Sequence, residues 1–190
     1  LPERLPDIPG VTIAARYWAA GAVSEVGGDF YDAFPIGPNR WALVIGDVCG
    51  TGPQAAAVTA VARHTIRAAA MHDADHTQVL NWVNEAILQG SSELFCTLLY
   101  STLELLADGS WRYVSVAGGH PLPIVVGADS ATSMIGSYGT LIGIMPQIWV
   151  TPTETILRRG STLTLHTDGV NDVRPPHGLT DEELRTMVSE

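Results

Sequence analysis

Apolar and polar positions change period twice along the chain, dividing it into a β-rich opening, a helical middle and a second β-rich stretch. After a proline-punctuated lead-in over residues 1–10, the segments 11–18, 28–36 and 41–49 read as strands, with a turn at Gly37-Pro38-Asn39 joining the last two. Pro53 then stands at a first helical position, where a missing N–H costs nothing. The alanine-rich run that follows holds no further Gly or Pro through Met71, which predicts a helix over 53–71. Val79, Leu80, Val83, Ile87 and Leu88 recur at helical spacing behind Asp75 or Thr77 as capping group, predicting a second helix over 77–88 that ends at Gly90. Strand patterns return at 95–106 and 111–117 around Asp108-Gly109, a hairpin signal. Residues 122–126 read as a continuation of that sheet, 128–139 as a loop, and 153–157 and 162–167 as shorter strands. A last helix begins near Thr180 or Asp181, where the acidic run Asp181, Glu182, Glu183 suits a helix N-terminus.

Strands, then two adjacent helices, then strands again is not the strict alternation of a doubly wound parallel sheet. The expected class is α+β, with antiparallel sheets and two amphipathic helices covering one face. No repeat or linker divides the chain, so residues 1–190 are read as a single domain.

Composition narrows the function. At 46% hydrophobic and 16% charged residues the chain is too apolar for disorder and suits a compact domain with a large core. Apolar runs such as 41–45 fall well short of the roughly 20 residues that cross a bilayer, and Leu1 opens no basic leader; neither a spanning helix nor a signal peptide is expected. There are 20 acids against 10 bases, every base is Arg, and the net charge is −10, which disfavours nucleic acid and suits divalent cations instead. Cys49 and Cys96, both in apolar segments, support neither a disulfide framework nor a cysteine zinc site, and point to a reducing, cytoplasmic setting.

Three aspartates end apolar strands beside glycine: Asp29 in Val26-Gly27-Gly28-Asp29, Asp47 in Ile45-Gly46-Asp47-Val48, and Asp168 in Thr167-Asp168-Gly169-Val170. Any one Asp-Gly pair reads as an ordinary turn, as Asp108-Gly109 does. Together they read differently, because glycine lets backbone and a hard cation approach, and carboxylates gathered in one cavity repel one another unless a cation neutralises them. Oxygen ligands suit Mg or Mn better than Zn.

Ala14-Ala15-Arg16-Tyr17, Val26-Gly27-Gly28-Asp29-Phe30-Tyr31-Asp32 and Ile45-Gly46-Asp47-Val48-Cys49-Gly50-Thr51-Gly52 before an alanine-rich helix resemble the bacterial SpoIIE/RsbU branch of the metal-dependent PPM (protein phosphatase 2C-like) serine/threonine phosphatases. Phe95-Cys96-Thr97-Leu98, Ala117-Gly118-Gly119-His120-Pro121-Leu122-Pro123, Gly139-Thr140-Leu141-Ile142-Gly143 and Thr167-Asp168-Gly169-Val170 resemble its later blocks, in order and over nearly the whole chain. The resemblance implies an αββα sandwich of two antiparallel sheets flanked by helices, with two Mn or Mg ions at one sheet edge. Carried over, Asp47 matches the carboxylate between the ions, Val48 a carbonyl ligand, Asp29 a ligand of one ion and Asp168 a ligand of the other. It implies hydrolysis of phosphoserine or phosphothreonine by a metal-activated water, with no phosphoenzyme. The implied partner is a phosphorylated anti-sigma factor antagonist, hence control of sigma-factor availability, with upstream sensor domains as the regulatory input.

Two departures stand out. Gly50-Thr51-Gly52 replaces the usual Gly-His-Gly or Gly-Lys-Gly, which puts a hydroxyl where a cation or imidazole would help with phosphate. The family's last metal-binding carboxylate lies in an Asp-Asp segment that this sequence does not reach by Glu190, so the second ion's site is expected to be incomplete and the chain to be a piece of a longer regulator. The same departure supports an alternative, a catalytically degenerate interaction module of the same fold; hydrolysis of a small phosphorylated molecule would share the metal chemistry.

Other residues carry plainer readings. His120 reads as a hydrogen-bonded structural histidine, and His166 as a group beside Asp168 or a packed strand residue. Arg16 can reach a phosphate or pack by its stem, Asp32 should face away from Asp29, Asp172 is an accessory candidate, and Cys49 reads as a small buried hydrophobe. The pairs His64/Arg67 and His72/His76 read as solvated helix faces.

Overall fold

The computed structural model describes residues 1–2, 4–17, 28–73, 75–90, 93–170 and 179–189. Two strands, β1 (Asp29–Gly37) and β2 (Arg40–Val48), form a hairpin turned by Asn39 at φ 55°. Two helices follow, α1 (Pro53–Met71) and α2 (His76–Leu88), the second capped by the Asp75 carboxylate accepting from the Gln78 N–H at 2.9 Å. Then come β3 (Cys96–Leu105), β4 (Trp111–Gly118), β5 (Ile124–Val126), β6 (Thr132–Met134), β7 (Thr153–Leu157) and β8 (Thr162–Thr164). A 3₁₀ turn over Asp168–Val170 and α3 (Asp181–Ser189) complete the described elements.

All strand pairs are antiparallel. One sheet has the order β1-β2-β3-β4-β7 and the other β6-β5-β8. Side chains alternate across the larger sheet as the pleat requires. Phe30, Phe34, Val44, Leu98 and Tyr100 face α1 and α2, whereas Ala33, Leu43, Leu103 and Tyr113 face the smaller sheet with Val125. Contacts of α3 with β5, and burial of its Leu184, put this helix against the smaller sheet, giving the expected αββα layering. Among the described residues no helix is long and apolar enough to cross a membrane.

The first helix sits close to its sheet because its buried face is small, with Ala55, Ala62, Ala69 and Ala70 around Val58 and Ile66. An ion cluster around the buried Asp32 carboxylate anchors it. The Asp32 carboxylate accepts from Arg67 Nε and Nη2, both at 2.8 Å, and from Arg63 Nη2 at 3.2 Å, while the Arg67 guanidinium stacks 4.3 Å over the Phe34 ring. Burial alone would raise the Asp32 pKa, but the bonds and charges of Arg67 and Arg63 outweigh it and hold the carboxyl below its usual range.

Three sequence expectations are corrected. The strand read over 11–18 is not formed in its described part; Val11 pairs only with Ile8 across a tight turn containing Gly10 at φ 79°, residues 12–17 join no ladder, and Trp18 lies outside the described residues. Residues 122–126 do not continue the sheet of β4. Gly119 at φ 69° and two prolines, which cannot donate to a ladder, carry the chain across, and β5 joins the second sheet. The segment read as loop over 128–139 contains β6, a mostly exposed strand whose polar side chains give no alternating pattern.

Candidate metal centre

Asp29 opens β1 and Asp47 lies one residue before the end of β2, and the two are direct partners across the ladder. Cross-strand partners leave a sheet on the same side. Asp47 shares its parity with Trp41 and Leu43, so both carboxylates point toward the smaller sheet, away from Phe30 and Val48. The ends of these strands are drawn close by glycine. The Gly28 carbonyl accepts from the Val48 N–H at 3.1 Å, and a Cβ on Gly28 would stand 1.9 Å from the Val48 carbonyl oxygen and 2.7 Å from Asp47 Oδ1. Asp47 Oδ1 and the Val48 carbonyl therefore flank the same small gap.

Asp168 arrives from the other sheet, opening the 3₁₀ turn after β8. Its neighbour Thr167 hydrogen-bonds to Asp29, and the charges act on one another. Burial raises the Asp47 pKa to about 6, with the negative charges of Asp29 and Asp168 adding to it. Asp29 is also raised, first by burial, against the Thr167 bond that lowers it and with the Asp168 charge. One Asp29 oxygen, Oδ1, is buried without a hydrogen-bond partner. The fold thus brings Asp29, Asp47 and Asp168 into mutual electrostatic contact.

A buried acceptor without a donor, two directly opposed carboxylates and a carbonyl at a glycine-lined gap are an oxygen-only donor set, which fits a hard divalent cation better than zinc. The set is partly assembled. Among the described residues no group of three or more His, Cys, Asp or Glu side chains stands ready as a metal cluster.

A cavity of about 340 Å³ adjoins this edge, walled by Arg16, Asp29, Tyr31, His166, Thr167 and Gly169 among others. Arg16 therefore borders the same space as Asp29. The larger cavity, about 670 Å³, lies among Leu43, Leu103, Trp111 and Arg159 and has no carboxylate in its wall.

Asp32 faces α1, opposite to Asp29, as the alternation required. His120 is buried and hydrogen-bonded to Thr97, and His166 is buried on the cavity wall. Asp172 lies outside the described residues. Cys49 is corrected: it is exposed, because β2 ends at Val48 and the chain leaves the sheet through Gly50 and Gly52, both at positive φ. Cys96 is buried, and burial pushes its thiol up to about 12. His72 and His76 do not share a helix face: His72 caps α1, and His76 opens α2 with its ring against Tyr100 and its Nε2 3.0 Å from Thr102 Oγ1. Arg67 leaves the His64 pairing for Asp32. Thr97 and Thr167 carried no individual reading in the sequence; only the register opposite Asp47 and the bond to Asp29 single them out.

The family profile described as Stage II sporulation protein E (SpoIIE) matches residues 37–190. Protein IcfG of Synechocystis sp. (strain ATCC 27184 / PCC 6803 / Kazusa) is 29% identical over 204 residues, covering 93% of this chain and 31% of IcfG. The crystal structure of the RsbU and RsbW domains of Rv1364c from Mycobacterium tuberculosis superposes with a TM-score of 0.69 at 28% identity, over 90% of this chain and 45% of that one. The PP2C phosphatase domain and regulatory fragment of SpoIIE from Bacillus subtilis superposes at 0.67 and 19% identity, over 89% of this chain and 47% of that one, and shares the fold. The chain thus spans less than half of each.

Proposed function

Because the chain belongs to the SpoIIE family and carries a PP2C-type phosphatase fold, we propose that it is a metal-dependent protein serine/threonine phosphatase. The observation that carries this reading is the Asp29–Asp47 register pair, with the charge of Asp168 acting on both carboxyls. Asp47 is the carboxyl on which the charges of both Asp29 and Asp168 act, and its Oδ1 flanks the same gap as the Val48 carbonyl. Mn or Mg held there would supply positive charge to phosphoryl oxygens and make water acidic enough to attack phosphorus near neutral pH. The protein's own contribution is arrangement. Thr167 favours the charged form of Asp29, and the adjoining cavity has room for a phosphate, with Arg16 on its wall. A guanidinium suits paired phosphate oxygens.

The substrate we infer is phosphoserine or phosphothreonine on a partner protein, an anti-sigma factor antagonist, in the cytoplasm and under upstream sensor domains. Family membership and the likeness to the RsbU and RsbW domains of Rv1364c support this class. Residues 1–190 act in this reading as one phosphatase domain.

Mn-stimulated hydrolysis of p-nitrophenyl phosphate and of a phosphoserine-bearing antagonist tests the reading. Asp47→Asn should abolish both activities; full activity in that variant rejects the assignment. A second reading, an interaction module of the same fold without catalysis, is favoured by the absence, among the described residues, of a group of three or more His, Cys, Asp or Glu side chains that could hold an ion. Calorimetric Mn titration separates them, because the module requires no binding.

A further inference from the structure

Behind the aspartates lies a connected set of polar groups that the reading above does not use. Asp47 pairs in register with Thr97 of β3, so the two side chains leave the sheet as neighbours on the same face. Thr97 Oγ1 is 2.8 Å from His120 Nδ1. His120 is 0% exposed, and its Nε2 is buried with no hydrogen-bond partner. Burial lowers the ring's pKa to about 3, helped by the charge of His166, and the backbone of His166 lies beside the ring. Residue 166 is followed by Thr167, which bonds to Asp29, and by Asp168.

His120 is therefore hydrogen-bonded to β3 beside Asp47, and the segment that carries Asp168 is near enough for His166 to act on the ring. The backbone before it is closely packed, since a Cβ on Gly118 would come 2.5 Å from Ile142 Cδ1 and one on Gly119 2.4 Å from Leu141 Cδ2. A dry imidazole with an unpaired nitrogen is unfavourable where an aliphatic side chain could pack without that penalty. Packing alone gives no reason for histidine at this position. A ring hydrogen-bonded to Thr97 behind Asp47 does.

Resting on the metal reading above, we propose that His120 is a positioning residue for the centre: hydrogen-bonded to Thr97, it fixes the side chain that stands beside Asp47 in the sheet. Neither His120 nor Thr97 touches the reacting atoms. Each acts through the carboxylates, as the hydrogen-bonded groups behind metal ligands commonly do, where substitution typically weakens metal binding about 10–100-fold.

The test is calorimetric Mn titration of the whole chain, with thermal unfolding of the metal-free protein alongside. His120→Leu and Thr97→Val should each weaken Mn binding about 10–100-fold with little change in metal-free Tm, and Thr97→Ser, which keeps the hydroxyl, should bind like the parent. The double variant should bind no more weakly than the weaker single, since both substitutions interrupt one path. Mn binding unchanged in Thr97→Val and His120→Leu overturns the inference while leaving the metal reading intact; so does additive weakening in the double variant. If His120→Leu does not fold, Thr97→Val alone decides. A parent chain that binds no Mn overturns the metal reading itself, and the inference with it.

Discussion

At the scale of single residues, the centre depends as much on missing side chains as on carboxylates. Gly28 has the Val48 carbonyl oxygen 1.9 Å from where a Cβ would stand, and that carbonyl belongs to a residue whose own N–H is bonded to Gly28. Neither atom can yield without opening the ladder beside Asp47. Gly28→Ala should therefore destabilise the fold by about 1–3 kcal/mol, the usual range for overpacking, and weaken Mn binding. Gly37→Ala, where nothing lies within 4 Å of the added carbon, should stay within about 0.5 kcal/mol of the parent. Urea unfolding with Mn calorimetry measures both, and equal behaviour of the two variants would show that the close approach at Gly28 has no energetic consequence. At this scale the aspartates and their glycines were legible, because chemistry beside a strand end is written in adjacent residues. The exposure of Cys49 was not, because it depends on where β2 stops, and Thr97 gained meaning only from its register opposite Asp47.

Among the elements, α1 and α2 appear where the periodicity placed them: α1 spans Pro53–Met71 and α2 begins one residue before the expected Thr77. The polar anchors beneath them were hidden, since Asp32 and Arg67 are 35 residues apart and His76 reaches across to Tyr100 and Thr102. His76 has a consequence in acid. Burial, with the positive charge of Arg40 adding to it and Asp75 opposing, lowers its pKa from 6.5 to about 4. Between these values the unfolded chain binds a proton that the folded chain does not, so this group stabilises the fold least at the acid end and its contribution falls as pH drops from 6.5 toward 4. His76→Gln should flatten that part of the stability profile, read from urea midpoints between pH 7 and roughly 4.5. An equally steep profile in the variant would remove His76 from the acid response. The misplaced elements have different causes: β5 was legible as a strand, but Gly119 and the prolines before it carry it to the other sheet, whereas β6 is a largely exposed edge strand without a two-residue hydrophobic period.

For the molecule as a whole, a net charge of −10 and the raised carboxyls of Asp29 and Asp47, on both of which the Asp168 charge acts, make the metal-free state electrostatically unfavourable. A cation that binds only the folded chain should stabilise it by about 2.7 kcal/mol at a hundred times its Kd. Mn should accordingly raise the Tm of the parent, whereas Asp47→Asn should show a higher metal-free Tm and a much smaller response to Mn. An undiminished Mn shift in Asp47→Asn would place the stabilising ion elsewhere. By itself the sequence determined what travels with local order: the class of fold, the two helices, the principal hairpins, the three aspartates and the family those blocks resemble. Hydrophobic period, turn residues and motif neighbours all act over a few positions, and all can be read along a line. Only the tertiary structure decided which sheet receives β5, that Arg67 and Arg63 close on Asp32, and that His120 is buried against Thr97 beside Asp47. Those outcomes depend on register and on contacts between residues far apart in the chain, where burial and charge act through space.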